Sequence, residues 1–128
     1  MAGGGGCCNG PVMVLFPSGT MLSTEATYLN QRESDEIEVV GDDLAVAGTI
    51  EAATGTNPNL SIQFWGSVDG RWWQAVGAPI ARATGVGPMF GNINNIQFKF
   101  LKAIATFTNS AGTGNMLFGL SVYTRMSA

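Results

Sequence analysis

The chain contains no histidine, and its only two cysteines, Cys7 and Cys8, are neighbours. Without histidine, every Ser-His-Asp or Cys-His scheme of nucleophilic catalysis is closed. Two adjacent thiols offer half the ligands a zinc ion needs, at the wrong spacing, and they are poor disulfide partners for each other. Charge is scarce as well: Asp, Glu, Lys and Arg make up 12% of the 128 residues, about half the usual share. No apolar run approaches the ~18 residues of a membrane-spanning helix. Residues 1–8, Met-Ala-Gly-Gly-Gly-Gly-Cys-Cys, lack the basic and apolar regions of a secretory signal, and Ala2 stands where myristoylation needs glycine. The expectation is a protein made in a cytoplasm, with no membrane partner. The net charge of −3 argues against nucleic acid as a partner.

What is present is apolar and small. Hydrophobic residues reach 45% and glycine 18 residues, enough for one domain with a real core. A surface poor in charge suits packing against neighbours better than solitary solubility. Six of the nine acids cluster as Glu33, Asp35, Glu36, Glu38, Asp42 and Asp43, whereas Arg82, Lys99, Lys102 and Arg125 lie elsewhere. The acidic segment reads as a solvated edge that discourages unwanted strand pairing.

Period-two alternation dominates from residue 35 onward. Leu44, Val46, Gly48, Ile50 and Ala52 share one parity, and Ala45, Ala47, Thr49, Glu51 and Ala53 the other. Leu60, Ile62 and Phe64 lead into Val68-Asp69-Gly70-Arg71, a hairpin signature with a type I′ Asp-Gly turn, and Trp72–Val76 returns. Residues 77–95 hold six Gly or Pro residues and read as a long excursion with at most a short strand near 80–84. Two strands close the chain. Leu101, Ala103, Ala105 and Phe107 face inward in one, with a bulge expected near residue 100; Met116, Phe118, Leu120 and Val122 face inward in the other. Residues 35–40 alternate before a Gly41-Asp42-Asp43 turn, and 20–32 fit either a short helix from Ser23 or an irregular connection. The sum is an all-β protein: a single antiparallel β-sandwich, jelly-roll-like, over residues 17–128, with a glycine-rich extended N-terminal arm and contact segment over 1–16.

No cofactor or metal is expected. Gly85-Val86-Gly87-Pro88-Met89-Phe90-Gly91 is one residue too long for a dinucleotide fingerprint, and Pro88 sits at its bend. Neither acidic stretch has calcium-loop spacing. The candidate contacts are therefore physical. In the arm they are Val12, Val14, Leu15 and Phe16; in the body they are Trp65, Trp72 and Trp73. Trp65 has outward parity. Trp72 and Trp73, as neighbours in a strand, should send one ring into the core and one out. An exposed tryptophan anchors a protein interface or stacks on a sugar ring.

The segment Leu60-Ser-Ile-Gln-Phe-Trp-Gly-Ser-Val-Asp-Gly-Arg-Trp-Trp73, followed by Phe98-Lys-Phe-Leu-Lys-Ala-Ile-Ala-Thr-Phe107 and Met116–Arg125, resembles the small β-sandwich virion proteins of tailed bacteriophages, over about residues 44–125. The same hairpin is shared by sugar-binding discoidin-like sandwiches. The resemblance implies a non-enzymatic capsid decoration or cement protein, a head fibre, or a tail or neck component. Its expected partners are the major capsid protein or other virion subunits and further copies of itself. The competing expectation is a glycan-binding module that uses the tryptophans.

Overall fold

The computed structural model describes residues 9–25, 27–82, 86–94 and 96–125. It is an antiparallel two-sheet sandwich with no helix among the described residues. Nine strands follow in order: β1 (Asn9–Ser23), β2 (Gln31–Glu33), β3 (Ile37–Glu38), β4 (Asp43–Ala53), β5 (Asn59–Ser67), β6 (Gln74–Arg82), β7 (Gly87–Ile93), β8 (Phe100–Thr108) and β9 (Asn115–Arg125). One sheet has the order β1-β9-β4-β7; the other has β2-β8-β5-β6, with β3 also on β8.

β2 and β3 act as one interrupted strand along β8. Residues 34–36 stand opposite only Ala103 and Lys102, and Ser34 bridges the gap. Its amide donates to the Ala103 carbonyl, and its hydroxyl accepts from the Ala103 amide, both at 2.8 Å. Counted this way there are eight strands. Every connection crosses between the sheets except the β5–β6 hairpin. That is the jelly-roll path.

The alternating residues meet between the sheets. Leu44, Val46, Ile50, Phe118, Leu120 and Val122 face Leu60, Ile62, Phe64, Leu101, Ala103, Ala105 and Phe107, all essentially buried. Each large side chain removed from water stabilises the fold by about 1.5–3 kcal/mol. Phe16 joins them from β1, its ring centroid 5.1 Å from that of Phe118.

Several expectations are corrected. The run Pro11–Phe16, by its sequence a strand or an extended contact segment, is a strand: residues 9–16 form the first half of β1, paired with β9 from Asn9↔Arg125 to Phe16↔Leu120, and do not stand off as an arm. Leu15 keeps the inward parity of Met13, and a register shift between Val14 and Phe16 turns Phe16 inward as well. Residues 1–8 of the expected arm lie outside the described residues. Residues 24–25 and 27–30 are irregular. The stretch 77–95 is not an excursion, since it contains most of β6 and all of β7. Both are edge strands, where Pro79 and Pro88 cost no central hydrogen bond. Gly91 is needed there, because a Cβ would run into the Ile80 side chain. The residues before Gly41 do not form a hairpin with β4, for β3 and β4 belong to opposite sheets. The inward parity of β4 ends at a shift after Ile50, so Ala53, not Ala52, packs on the core. β8 pairs with β5 in continuous register from Thr108 to Phe100, with no bulge near residue 100.

Candidate interaction faces

Each sheet has an outer face, and the two differ in chemistry. On the β1-β9-β4-β7 sheet, register lines up three rows across the strands. They are Val12–Tyr123–Ala45–Asn92, Val14–Ser121–Ala47–Phe90, and Gly119–Thr49–Pro88. None of these side chains is charged. Val12, Val14 and Phe90 are 67%, 62% and 73% exposed. They stand as two flanks above a floor of alanine, serine and glycine. One hollow of about 500 Å³ lies among Val12, Ala45, Ala47, Phe90, Ser121 and Tyr123. A second of about 450 Å³ lies among Val14, Ser18, Ala47, Thr49, Gly119 and Ser121. Other exposed apolar side chains, such as Val40 and Val68, fall outside these rows, and single exposed apolar residues are ordinary. A contiguous uncharged set is not.

One wall of the second hollow is a looped-out piece of β1. Phe16 pairs with Leu120 and Thr20 with Phe118, so Pro17-Ser18-Gly19 bulges from the ladder. Gly19 takes φ +85° there, a conformation that glycine adopts without steric cost. Ser18 rests against Gly119, whose missing side chain leaves room: a Cβ would lie 3.2 Å from the Ser18 Cα. Glu51 reaches over from β4 and holds the bulge. Its carboxylate accepts from the Ser18 hydroxyl at 2.5 Å and from the Gly19 amide at 2.7 Å. The Ser18 hydroxyl first, then the Gly19 amide, hold the Glu51 carboxyl below its ordinary value.

The outer face of the other sheet is polar and aromatic. Trp65 is half-buried opposite Lys102, and Gln63 lies opposite Ile104, itself opposite Glu33. The Lys102 ammonium is 2.6 Å from the Glu33 carboxylate and 4.3 Å from the centre of the Trp73 ring. Neither Trp72 nor Trp73 enters the core, contrary to expectation, because β6 begins only at Gln74. Trp72 is 73% exposed on the β5–β6 loop. That loop is ordered by Asp69, whose carboxylate accepts from the amides of Arg71 and Trp72 at 2.9 and 3.1 Å. These two amides hold the Asp69 carboxyl below its ordinary value, Arg71 contributing most. The hairpin is present as read, but its turn is not type I′: only Gly70 has a positive φ, and the Asp69 carboxylate does the work of the turn.

The seven expected contact residues therefore separate. Val12 and Val14 lie on the uncharged face. Leu15 and Phe16, at 7% and 4% exposure, belong to the core and are unavailable to a partner. The tryptophans sit on the opposite sheet and its hairpin loop. Sequence reasoning missed Phe90, Tyr123, Ala45 and Ala47 as surface partners. The signal for three of them was the parity opposite to Val46 and Val122. For Phe90 it was hidden among glycines and prolines. Among the described residues no group of three His, Cys, Asp or Glu side chains is placed to hold a metal.

No protein-family model and no curated protein matches the chain. Solved structures do match its fold. VP2 of infectious bursal disease virus, solved as a subviral particle, superposes with TM-score 0.53 at 14% identity over 90% of this chain and 33% of VP2. A carbohydrate-binding module specific for non-crystalline cellulose, CBM28, gives TM-score 0.54 at 8% identity, covering 91% of this chain and 80% of the module. The CBM22-1-GH10 portion of xylanase 10B from Clostridium thermocellum gives 0.53 at 8%, over 94% of this chain and 26% of that one. The chain spans about a third of the VP2 chains it matches. At these identities the likeness is one of fold: the protein is a jelly-roll β-sandwich.

Proposed function

We propose that this protein is a non-enzymatic structural subunit of a virion, of the kind that decorates or cements a capsid shell. The observation that carries the reading is the set of three uncharged rows across the β1-β9-β4-β7 sheet, with Val12, Val14 and Phe90 exposed and with Asp43 and Glu51 of β4 at their two ends. The sheet edges leave few other ways to associate. β1 is broken by register shifts and Pro17, β6 carries Pro79, β7 carries Pro88, and β2 is three residues long with Arg32 and Glu33. Such edges resist strand addition, so association goes through a face. Val12 and Val14 act in that face, against the major capsid protein or another virion subunit. The fold shared with VP2 particles agrees with this role. Repetition over a shell multiplies contacts that are weak one by one.

The test is co-sedimentation with capsid shells. Wild-type protein binds; a protein lacking residues 2–8 binds more weakly; Val14→Lys abolishes binding while the fold is kept. Retained binding by Val14→Lys would remove the face from the account.

A second reading is favoured by one observation. Asp69 presents Trp72 on an ordered loop, with Trp72 73% exposed, and one of the similar folds is a carbohydrate-binding module. A glycan-binding module would show saturable quenching of tryptophan fluorescence by oligosaccharides, lost in Trp72→Ala. The virion reading expects no such quenching.

A further inference from the structure

We infer that a hollow at the Glu51 end of the β1-β9-β4-β7 face receives a basic side chain, lysine or arginine, of the subunit that this face binds. The inference rests on the reading of that face as a subunit contact and names the chemistry the partner brings.

Beyond the Pro17–Gly19 bulge the face carries one more row, Met21–Leu117–Ala52. These side chains point outward, since their neighbours Leu22 and Met116 are buried and Ala53 packs on the core. A hollow of about 300 Å³ lies over the row, walled by Glu25 and Tyr28 from the connection after β1. Leu117 and Tyr28 are 37% and 52% exposed.

Hydrogen bonds hold that wall in place. The buried Ser23 hydroxyl accepts from the Glu25 amide at 3.1 Å and donates to the Gly114 carbonyl at 3.2 Å. The Thr24 amide also donates to Gly114, at 3.0 Å, and the Tyr28 amide closes a turn on the Glu25 carbonyl at 3.1 Å. The Glu25 side chain is half-buried, and its carboxylate has no hydrogen-bond or ion-pair partner among the described residues. Arg32 does not supply one. Its Nε donates to the Met21 carbonyl at 2.7 Å, and it lines a different hollow beside Glu33 and Asp35. On the other side of the row Glu51 reaches over β9 to Ser18 and Gly19, so a second carboxylate stands there.

This arrangement selects the occupant. A neutral apolar group would strip water from Glu25 and leave its charge unpaired, which is costly. An acidic group would add repulsion. A basic side chain meets both demands. Its stem lies along Met21, Leu117 and Ala52, as long basic side chains lie along apolar surface. Its charge reaches the Glu25 carboxylate and the Tyr28 ring. The complement of this end of the face is therefore a surface that presents lysine or arginine beside apolar side chains.

The experiment is an amide chemical-shift titration of the full chain with n-pentylammonium and n-butylguanidinium. The controls are n-pentanol and n-pentanoate, neutral and anionic groups of similar length, and thermal melting confirms that each variant is folded. The expected result is saturable shifts at Met21, Glu25, Tyr28 and Leu117 with the cations, about threefold or more weaker binding of pentanol, and none of pentanoate. The stronger of the two cations identifies lysine or arginine as the better occupant. Glu25→Gln brings the cations down to the level of pentanol; Glu36→Gln, exposed between β2 and β3 of the other sheet, leaves them unchanged. Pentanol binding equal to the cations, or cation binding that survives Glu25→Gln, overturns the inference. Co-sedimentation with capsid shells separates it from the reading beneath it. Glu25→Gln should weaken shell binding and flatten its dependence on salt. Shell binding that is lost in Val14→Lys but unchanged in Glu25→Gln keeps the face and overturns the basic partner. Shell binding that survives Val14→Lys removes the face itself.

Discussion

The outer face of the β1-β9-β4-β7 sheet carries alanine, valine, serine and glycine. The outer face of β2-β8-β5-β6 carries Glu33, Lys102, Gln63, Trp65 and Trp73. Both rest on the same core and the same jelly-roll path. The second satisfies itself: Lys102 neutralises Glu33 and lies against Trp73, and the Gln63 amide donates to the carbonyls of Val76 and Gly77. The first meets part of its needs, Thr49 donating to the Gly87 carbonyl and Glu51 holding Ser18 and Gly19, but leaves Val12, Val14 and Phe90 exposed around two hollows. A surface that has met its own needs is finished as a monomer. Exposed apolar side chains gain by being covered.

The largest expected effect is on what the faces share. Phe107 is fully buried between the sheets, and Phe107→Ala should cost about 3–5 kcal/mol, read as a lower denaturation midpoint and loss of every surface property together. The comparison itself is sharpened by charge placed on each face in turn. Ala47→Arg should weaken binding to capsid shells at least tenfold and leave stability within about 0.5 kcal/mol. Thr106→Arg, on the outer side of β8, should leave both binding and stability unchanged. Equal effects from the two would erase the distinction between faces.

Lys102→Met should cost less. The ion pair with partly exposed Glu33 is worth about 0–1 kcal/mol, and the contact with Trp73 a further ~0.5–1 kcal/mol. The checks are a small drop in melting temperature and a shift in tryptophan emission, with no change in association.

The smallest effect concerns Glu51, which holds the Pro17–Gly19 wall of the second hollow. Its folded-state value lies below the ordinary 4.5. The stabilisation it supplies is therefore complete above about pH 4.5 and is lost as pH falls through the lowered folded value. Glu51→Gln should melt slightly below wild type at neutral pH, and the two curves should meet in acid. A gap that persists at low pH would mean the clamp does not depend on the carboxylate.

The parts legible in the sequence are those where one rule governs. In β5, β8 and β9 alternation alone decides which side chains face inward, and Ile62, Ala103 and Phe118 lie where parity puts them. The sandwich follows from that. Reading stopped where two rules compete. In β6 and β7 glycine and proline argue for loops, and only their edge positions make them compatible with strands; with β7 went Phe90, the most exposed side chain of the apolar face. Val12–Phe16 was visible as an apolar contact segment. Which of its residues faced a partner depended on bulges that a long-range pairing with β9 creates. Trp72 and Trp73 misled because the parity argument assumed a strand where Asp69 builds a loop.

The most direct test of the account is hydroxyl-radical footprinting of the protein in dilute solution and in its assembled state. The account predicts that labelling of Phe90 and Tyr123 falls on assembly while Trp72 stays as reactive as before. Protection of Trp72 with Phe90 and Tyr123 unchanged would contradict it, and would move the working surface to the tryptophan side of the molecule.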